Sequence, residues 1–354
     1  MKSAVVVELS TSTELKLAVF SSCSYMEKDI NDPLREAFTE VVCFDARLDG
    51  KTAKLAEGFD AVCLFVNDSC DAEVIETLSS GGVKFIAMRC AGYDRVDVAA
   101  ANAAGIRVSR VPAYSPYAIA EHAVTLMLTL NRQVHKSYLR VREGNFTLDG
   151  LVGFDMRGKT VGIIGTGKIG RVTAGILKGF GVRIVAYDIF QSAEAIEMGI
   201  EYMELEDLLP ICDIISLHLP LSEATYHMID EDAIALMKPQ CMVINTSRGG
   251  LIDTAAMSEA LKRRDVGSLA IDVYEKEQAL FFQDLASQSD SQAGSSIPDY
   301  FDHEYTMLAS LPNVIVTPHQ AFLTQEALNN IAESTIISLN EFSRGDTLTN
   351  EVKL

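Results

Sequence analysis

Three short apolar runs in the second half of the chain each lead into a residue able to do acid, base or anion-binding chemistry. Met242–Asn245 runs into Thr246-Ser247-Arg248-Gly249-Gly250, Leu269–Val273 into Tyr274-Glu275-Lys276-Glu277, and Val314–Val316 into Thr317-Pro318-His319. If these runs are parallel strands, Arg248, Glu277 and His319 reach one rim, because open α/β sheets bind ligands beyond the carboxyl ends of their strands. Arginine offers a forked, permanently charged donor for a carboxylate and an adjacent keto oxygen. Histidine moves a proton near neutral pH, and a carboxylate beside it orients the ring and favours imidazolium. The three types together suit reduction of a 2-keto acid, which needs a hydride, a proton for the ketone oxygen and a grip on the carboxylate. Taken singly each has a plainer reading, a surface ion pair for Arg248 and a loop histidine for His319.

The hydride needs a carrier, and an earlier segment has the pattern for one. The run Thr160–Ile164 is followed at once by Gly165-Thr166-Gly167-Lys168-Ile169-Gly170 and then by a helical pattern over Val172–Phe180. In that context the first glycine permits a tight turn, the second lets backbone approach a pyrophosphate, and the third lets helix and strand pack closely. The phosphates then rest on the helix N-terminus. Asp188 ends the next strand, Arg183–Tyr187, eighteen residues past Gly170. A carboxylate there accepts from ribose hydroxyls and repels a 2′-phosphate, and Ile189, Phe190 and Gln191 add no cation, so NAD is expected over NADP. His218, in Leu217-His218-Leu219-Pro220, follows a strand and is placed on the nicotinamide side without a chemical role. The remaining histidines read as structural: His122 and His135 in a long helix, His227 and His303 in loops.

Alternating strands and amphipathic stretches must position these groups. Leu15–Phe20, Val41–Phe44, Ala61–Val66, Lys84–Met88 and Arg107–Val111 read as strands, with helices over Ala72–Leu78 and Asp97–Ala104. A long helix starts at Pro116, a residue suited to a first turn. A second series of strands begins at Thr160 and adds Asp213–Leu217 to the runs above. One more helix, Gln325 to Phe342, fits after Val316 and is too short to be a domain, so it should return to the first. The expectation is an α/β protein of two doubly wound parallel sheets. The boundaries fall at 1–114 with 319–354 for a discontinuous substrate and catalytic domain, and 115–318 for an inserted Rossmann domain. Met1 to Glu14 reads as a tail, with a transit remnant as the alternative. Between Glu277 and Leu311 the chain is polar and reads as a surface excursion, a tolerated insertion or a lid.

Composition narrows the classes. With 354 residues, two domains are expected. Forty-nine acidic against 30 basic residues give a net charge of −19, which repels phosphate backbones and disfavours nucleic acid. An acidic protein needs local positive charge to receive a small carboxylate, and Arg248 supplies it. No apolar run approaches the ~20 residues that span a bilayer. The seven cysteines form no C-x-x-C, so neither a metal site nor a disulfide framework is suggested, and buried thiols in the cytoplasm account for them.

The chain resembles the D-isomer-specific 2-hydroxyacid dehydrogenases, and within them the D-lactate dehydrogenases. The resemblance rests on Val111–Pro116 with Ala120-Glu121-His122, on Gly165–Gly170, Asn245–Gly249, Asp272–Glu277 and Thr317–Phe322. It implies a Rossmann domain inserted in a flavodoxin-like one, Arg248, Glu277 and His319 as the catalytic trio, and D-lactate and pyruvate as the substrate pair. It implies that backbone at Ala91-Gly92 binds the substrate carboxylate, with Tyr114 and Phe322 lining the pocket. On the cofactor side it adds Lys168, Ile169, Asp188, Leu219, Pro220, Thr246 with Ser247, and Asp272. It also implies a homodimer built largely on the helix after Ser115. Gln320 departs from the family's usual small residue, and the excursion after Glu277 is longer than in compact members, which leaves phenyllactate- and hydroxypyruvate-type activities open. A formate dehydrogenase releases no hydroxyl proton and pairs its histidine differently. A phosphoglycerate dehydrogenase often carries a further regulatory domain after the position of His319. A cofactor-sensing corepressor can share the fold and the trio, and NADH consumption with pyruvate separates it from an enzyme.

Overall fold

The computed structural model describes residues 13–277, 280–282 and 302–353. The chain divides into two compact units, one running to Ser115 and resuming at Leu323, the other spanning Pro116–Phe322.

Among the described residues the first unit holds five strands, β1 (Thr13–Val19), β2 (Phe38–Cys43), β3 (Ala61–Leu64), β4 (Phe85–Met88) and β5 (Arg107–Ser109). They are all parallel in the order β2-β1-β3-β4-β5, the flavodoxin-like winding. The apolar runs of β3 and β4 are buried throughout, as parallel strands covered on both faces require. The helix Gln325–Arg344 returns to this unit. Thr324 caps its start, and Leu328, Ile331, Thr335, Ser338 and Leu339 form its buried stripe at helical spacing. Phe342 stacks on Phe85 of β4, with ring centroids 4.6 Å apart. Because β1 begins at Thr13, the tail expected to reach Glu14 is shorter by two residues. Residues 1–12 lie outside the described ones.

Among the described residues the second unit holds seven parallel strands, β6 (Thr160–Ile164), β7 (Arg183–Tyr187), β8 (Glu201–Tyr202), β9 (Ile214–Leu217), β10 (Met242–Asn245), β11 (Ser268–Ile271) and β12 (Val314–Val316). Their order is β12-β11-β10-β9-β6-β7-β8, so the winding reverses between β6 and β9. That reversal opens the crevice in which doubly wound sheets bind ligands. The two-residue edge strand β8 is too short to show a pattern in the sequence and was not foreseen.

Three expectations need correction. The long helix ends at Arg132, and His135 belongs to a separate helix, Val134–Arg142, because Gln133 adopts φ 51°. Buried Asn131 fixes that corner: its amide donates to Phe154 O and its Oδ1 accepts from Phe154 N, both at 2.8 Å. His303, read as a loop residue, opens the helix His303–Ser310, whose N-cap Asp302 accepts from Tyr305 N. Third, the second unit keeps the chain to Phe322, so the return falls at Leu323 rather than 319. The rest of the excursion, 278–279 and 283–301, and with it the lid reading, lies outside the described residues.

Candidate active site

The loop after β10 is wound by its own asparagine. Fully buried Asn245 accepts from Ser247 N at 3.0 Å and donates to Arg248 O at 2.8 Å, while Ser247 Oγ donates to Leu217 O of β9 at 2.8 Å. Arg248 is half-buried, and its Nη1 donates to Ser247 O at 2.8 Å. Gly249 must be glycine, since a Cβ there would lie 2.1 Å from the carbonyl carbon of Tyr274. The loop bearing Arg248 is thereby pressed on the turn that bears Glu277.

Glu277 and His319 meet within this unit. Glu277 Oε2 accepts from Tyr274 N at 3.0 Å, and Oε1 lies 2.9 Å from His319 Nδ1. Each side chain is only 14% exposed, so the pair is partly shielded from water. A carboxylate accepts only, so Nδ1 carries its proton toward Glu277 and leaves Nε2 for a substrate. His319 sits at φ 55°, a left-handed conformation uncommon for histidine, with its N–H donating to Thr317 O at 3.0 Å. The ring of Phe282 packs 5.8 Å from the imidazole, centroid to centroid.

Asp272 holds this turn from below. It is fully buried. Oδ1 accepts from Thr317 Oγ1 at 2.5 Å and from Gln320 N at 2.9 Å, and Oδ2 accepts from Ala321 N at 2.8 Å. His122 Nε2 adds contacts at 3.1 Å to Thr317 Oγ1 and 3.4 Å to Asp272 Oδ1. Asp272, expected on the cofactor side, also braces the loop that presents His319. The same bonds keep residues 319–322 with the second unit.

The glycine loop has the predicted form. Gly165 is at φ 99°, and a Cβ on it would lie 2.7 Å from the His218 carbonyl. A Cβ on Gly170 would lie 2.0 Å from Gly165 O, whereas Gly167 faces open space. Gly167 caps the helix Lys168–Lys178 with no side-chain bond and no acid in its first turn, which suits an arriving anion. Lys168 is exposed and Ile169 half-buried. Asp188 is also bonded within the protein: Oδ2 accepts from Thr166 N at 2.6 Å and Thr166 Oγ1 at 3.0 Å, and Oδ1 accepts from Phe190 N at 3.0 Å. Tyr202 OH donates to Thr166 Oγ1 at 2.7 Å, a support no motif announced.

Two buried polar atoms near β9 and β10 lack a protein partner, His218 Nδ1 and Thr246 Oγ1. His218 Nε2 is 2.9 Å from Ser216 Oγ, and burial pushes its imidazole down to about 4, so it is neutral at physiological pH. Leu219 and Pro220 continue the same loop, with Pro220 O accepting from Thr225 Oγ1 at 2.7 Å. Orphaned donors beside an open glycine loop fit a dinucleotide with a polar nicotinamide amide. Among the described residues no group of three His, Cys, Asp or Glu could hold a metal ion, and no helix is long and apolar enough to cross a membrane.

Ala91, Gly92 and Tyr114 belong to the first unit. Ala91 and Gly92 follow β4, with Ala91 O accepting from Arg110 Nη1 at 3.1 Å. Tyr114 O accepts from the Asn330 amide at 2.5 Å. Beneath them lies a residue that the sequence reading passed over, Arg89, fully buried at the end of β4. Its guanidinium donates to Phe20 O at 2.8 Å, Ser21 O at 2.7 Å and Cys63 O at 3.3 Å, tying the ends of β1 and β3 to the start of the Ala91-Gly92 loop. Phe322, 6% exposed, ends the second unit.

The NAD-binding-domain model of the D-isomer specific 2-hydroxyacid dehydrogenases matches residues 124–321. The chain belongs to that family. It is 47% identical to the D-lactate dehydrogenase of Escherichia coli K12, over 96% of this chain and 100% of that one. Its fold matches the structure of the pyruvate reductase of Chlamydomonas reinhardtii with a TM-score of 0.86 at 44% identity, covering 96% of this chain and 99% of that one. It also matches D-lactate dehydrogenase with NAD+ from Lactobacillus jensenii, with a TM-score of 0.76 at 32% identity, over 96% and 100% of the two chains. The chain is therefore an NAD-dependent D-2-hydroxyacid dehydrogenase.

Proposed function

We propose that this dehydrogenase reduces pyruvate to D-lactate and runs the reverse reaction, with His319 as acid and base. The observation that carries the reading is the 2.9 Å contact of Glu277 with His319 Nδ1, in the unit that also presents Arg248. The names of the E. coli and Chlamydomonas relatives support pyruvate as the keto acid. Arg248 holds the carboxylate and polarises the keto oxygen. His319 donates the Nε2 proton to that oxygen, and Glu277 keeps the ring aligned and stabilises its charge. Bound NADH supplies the hydride that adds to the keto carbon. In the oxidative direction His319 accepts the hydroxyl proton at Nε2.

In this reading Gly165, Gly167, Gly170, Lys168 and Ile169 hold the pyrophosphate, and Asp188 holds the adenosine ribose. His218, Leu219, Pro220, Thr246 and Ser247 flank the nicotinamide, where a neutral imidazole leaves room for a cationic ring. Ala91, Gly92 and Tyr114 of the first unit and Phe322 of the second are kept as substrate-binding residues, and the first unit as the substrate domain.

A homodimer and a cytoplasmic location complete the proposal. The helix Val134–Arg142 buries none of its residues, and Phe146, Leu148 and Val152 beyond it are 74%, 80% and 90% exposed. Such a concentration of exposed apolar side chains marks an interaction surface, and a second copy is the proposed occupant. All seven cysteines are free and five of them buried, as in a reducing compartment.

A panel of pyruvate, phenylpyruvate, hydroxypyruvate and oxaloacetate, scored by kcat/KM with NADH and by product chirality, tests the assignment. Pyruvate should rank first and yield the D-product. A higher kcat/KM for phenylpyruvate would move the enzyme to the phenyllactate type, and NADH binding without turnover would make it a sensor.

A further inference from the structure

A second cluster of ionisable side chains lies in the same unit, outside the trio. Its centre is Glu275, two residues before Glu277. Glu275 Oε1 lies 2.8 Å from His227 Nε2 and accepts from Tyr226 OH at 3.1 Å, while Oε2 accepts from Thr254 Oγ1 at 3.1 Å. The other imidazole nitrogen, Nδ1, lies 3.6 Å from Asp253 Oδ2. The ring of Tyr226 stacks on that of His227, centroids 3.9 Å apart and planes 16° from parallel. One histidine thus has a carboxylate bonded at Nε2, a second carboxylate near Nδ1 and a tyrosine ring on one face.

Its backbone is unusual too. His227 adopts φ 51°, a conformation few non-glycine residues take and one that persists only where the surroundings impose it. His227 N donates to Gly250 O at 2.8 Å, Ile229 N to Leu251 O at 3.0 Å, and Asp253 N to Ile229 O at 3.0 Å. The segment therefore runs along the stretch just after Arg248. Gly249 closes the other side, since a Cβ on it would sit 2.2 Å from Glu275 N. Two segments converge on the Glu275 carboxylate, 226–227 and the start of the helix Thr254–Arg263, and are joined through it to the turn that leads to Glu277.

We infer that His227 is a positioning residue of this dehydrogenase, latching the turn that carries Glu277 to the loop that carries Arg248. The inference rests on the catalytic roles proposed above for those two residues. Asp272 fixes the His319 loop to the end of β11, but Glu277 lies five residues beyond Asp272 on a turn of its own. The Glu275 carboxylate, two residues away, ties that turn by side-chain bonds to the segments that flank the Arg248 loop. Small displacements of aligned groups carry large rate penalties, so a loosened latch acts on turnover rather than on cofactor affinity.

The test compares His227→Ala and His227→Gln by kcat for pyruvate, by NADH dissociation constant and by thermal denaturation. His227→Ala should lose roughly tenfold in kcat while NADH affinity stays within about twofold. Glutamine places an amide donor near the position of Nε2, so His227→Gln should recover part of the loss. Should His227→Ala fail to fold, Glu275→Gln keeps the shape, weakens the same bond and should lower kcat in the same way. In a Glu277→Gln background, His227→Ala should cost less than about twofold more, because the turn no longer presents a carboxylate. A wild-type kcat in His227→Ala or Glu275→Gln, or a full tenfold loss on top of Glu277→Gln, overturns the latch while leaving the trio in place. His227→Gln no better than His227→Ala also overturns it. A wild-type kcat in Glu277→Gln overturns the trio reading and the latch together.

Discussion

Glu277 Oε1 and His319 Nδ1 lie 2.9 Å apart across 42 residues of sequence. Neither residue can wander far to make the contact. The Glu277 carboxylate is also bonded to Tyr274 N, and His319 is set by the 2.8 and 2.9 Å bonds from Ala321 N and Gln320 N to Asp272. The imidazole therefore meets its partner with the ring plane already chosen, and in the proposed mechanism the proton moves at Nε2.

Replacing Glu277 by Gln keeps an acceptor oxygen and the shape and removes the charge. Hydrogen bonds to charged groups contribute about 1.5–3 kcal/mol, so kcat for pyruvate reduction should fall roughly ten- to a hundredfold. His319→Ala should nearly abolish turnover in both directions. Steady-state kinetics decide this, and a Glu277→Gln enzyme at wild-type kcat detaches Glu277 from the chemistry.

Arg248→Lys tests the fork rather than the charge. Lysine keeps a cation and loses the two parallel donors, so kcat/KM for pyruvate should drop about ten- to a hundredfold or more. NADH affinity should fall less than kcat/KM, because the glycine loop and Asp188, proposed to hold the pyrophosphate and ribose, lie on other loops. Normal pyruvate turnover by Arg248→Lys would remove Arg248 from the site.

Much of this site was legible in the sequence because strand ends are marked by abrupt changes from β-branched runs to polar loops. β7, β10 and β12 were bounded to the residue, and the glycine loop followed from its strand and helix context. What escaped depends on partners far along the chain. The resemblance placed Asp272 on the cofactor side, but its bracing role could not be read locally, since its partners Thr317 and Ala321 are 45 and 49 residues away. Nothing local signals that Gln133 leaves the helix at φ 51°, since its cause is Asn131 bonding Phe154. His227 looked like a loop histidine for the same reason. Its neighbours in sequence are unremarkable, and its two carboxylates come from β11's loop and from Asp253.

Asp188 braces the glycine loop as well as being the proposed ribose ligand, and its substitution should show both roles. Asp188→Ser with Ile189→Arg removes the carboxylate that repels a 2′-phosphate and adds a cation to meet it. Use of NADPH relative to NADH should rise. Because Asp188 also receives Thr166 N–H at 2.6 Å, the loop should loosen and NADH affinity should fall as well, by roughly tenfold for one lost charged bond. Equal use of both cofactors by the wild type would show that Asp188 does not discriminate.

The exposed arm after Gln133 predicts the assembly. Phe146→Glu with Leu148→Glu places two charges on the apolar surface proposed to receive a second copy, and buried unpaired charge is strongly unfavourable. Sedimentation velocity should show a dimer for the wild type and a shift to monomer for the double variant. A wild-type protein that sediments as a monomer at micromolar concentration would sink the proposed homodimer.

The last prediction concerns acid stability and His218. Burial holds its imidazole at about 4 in the folded protein, against an ordinary value near 6.5. Between those two values the unfolded chain binds the proton and the folded one does not. Stability contributed by the neutral form is therefore intact above pH ~6.5 and is lost as pH falls toward 4, with a limiting slope of about 1.4 kcal/mol per pH unit. His218→Asn removes the titrating group. The Tm of wild-type apoprotein should fall more steeply from pH 7 to 4.5 than that of His218→Asn, so the difference between the two should narrow or reverse on acidification. Carboxylates such as Asp213, whose bonds to Thr160 N and Lys238 hold it below the usual range, are common to both proteins and cancel in the comparison. Parallel Tm curves across that window would mean that the fold does not keep His218 neutral, and the nicotinamide side of the site would then face a histidine free to charge.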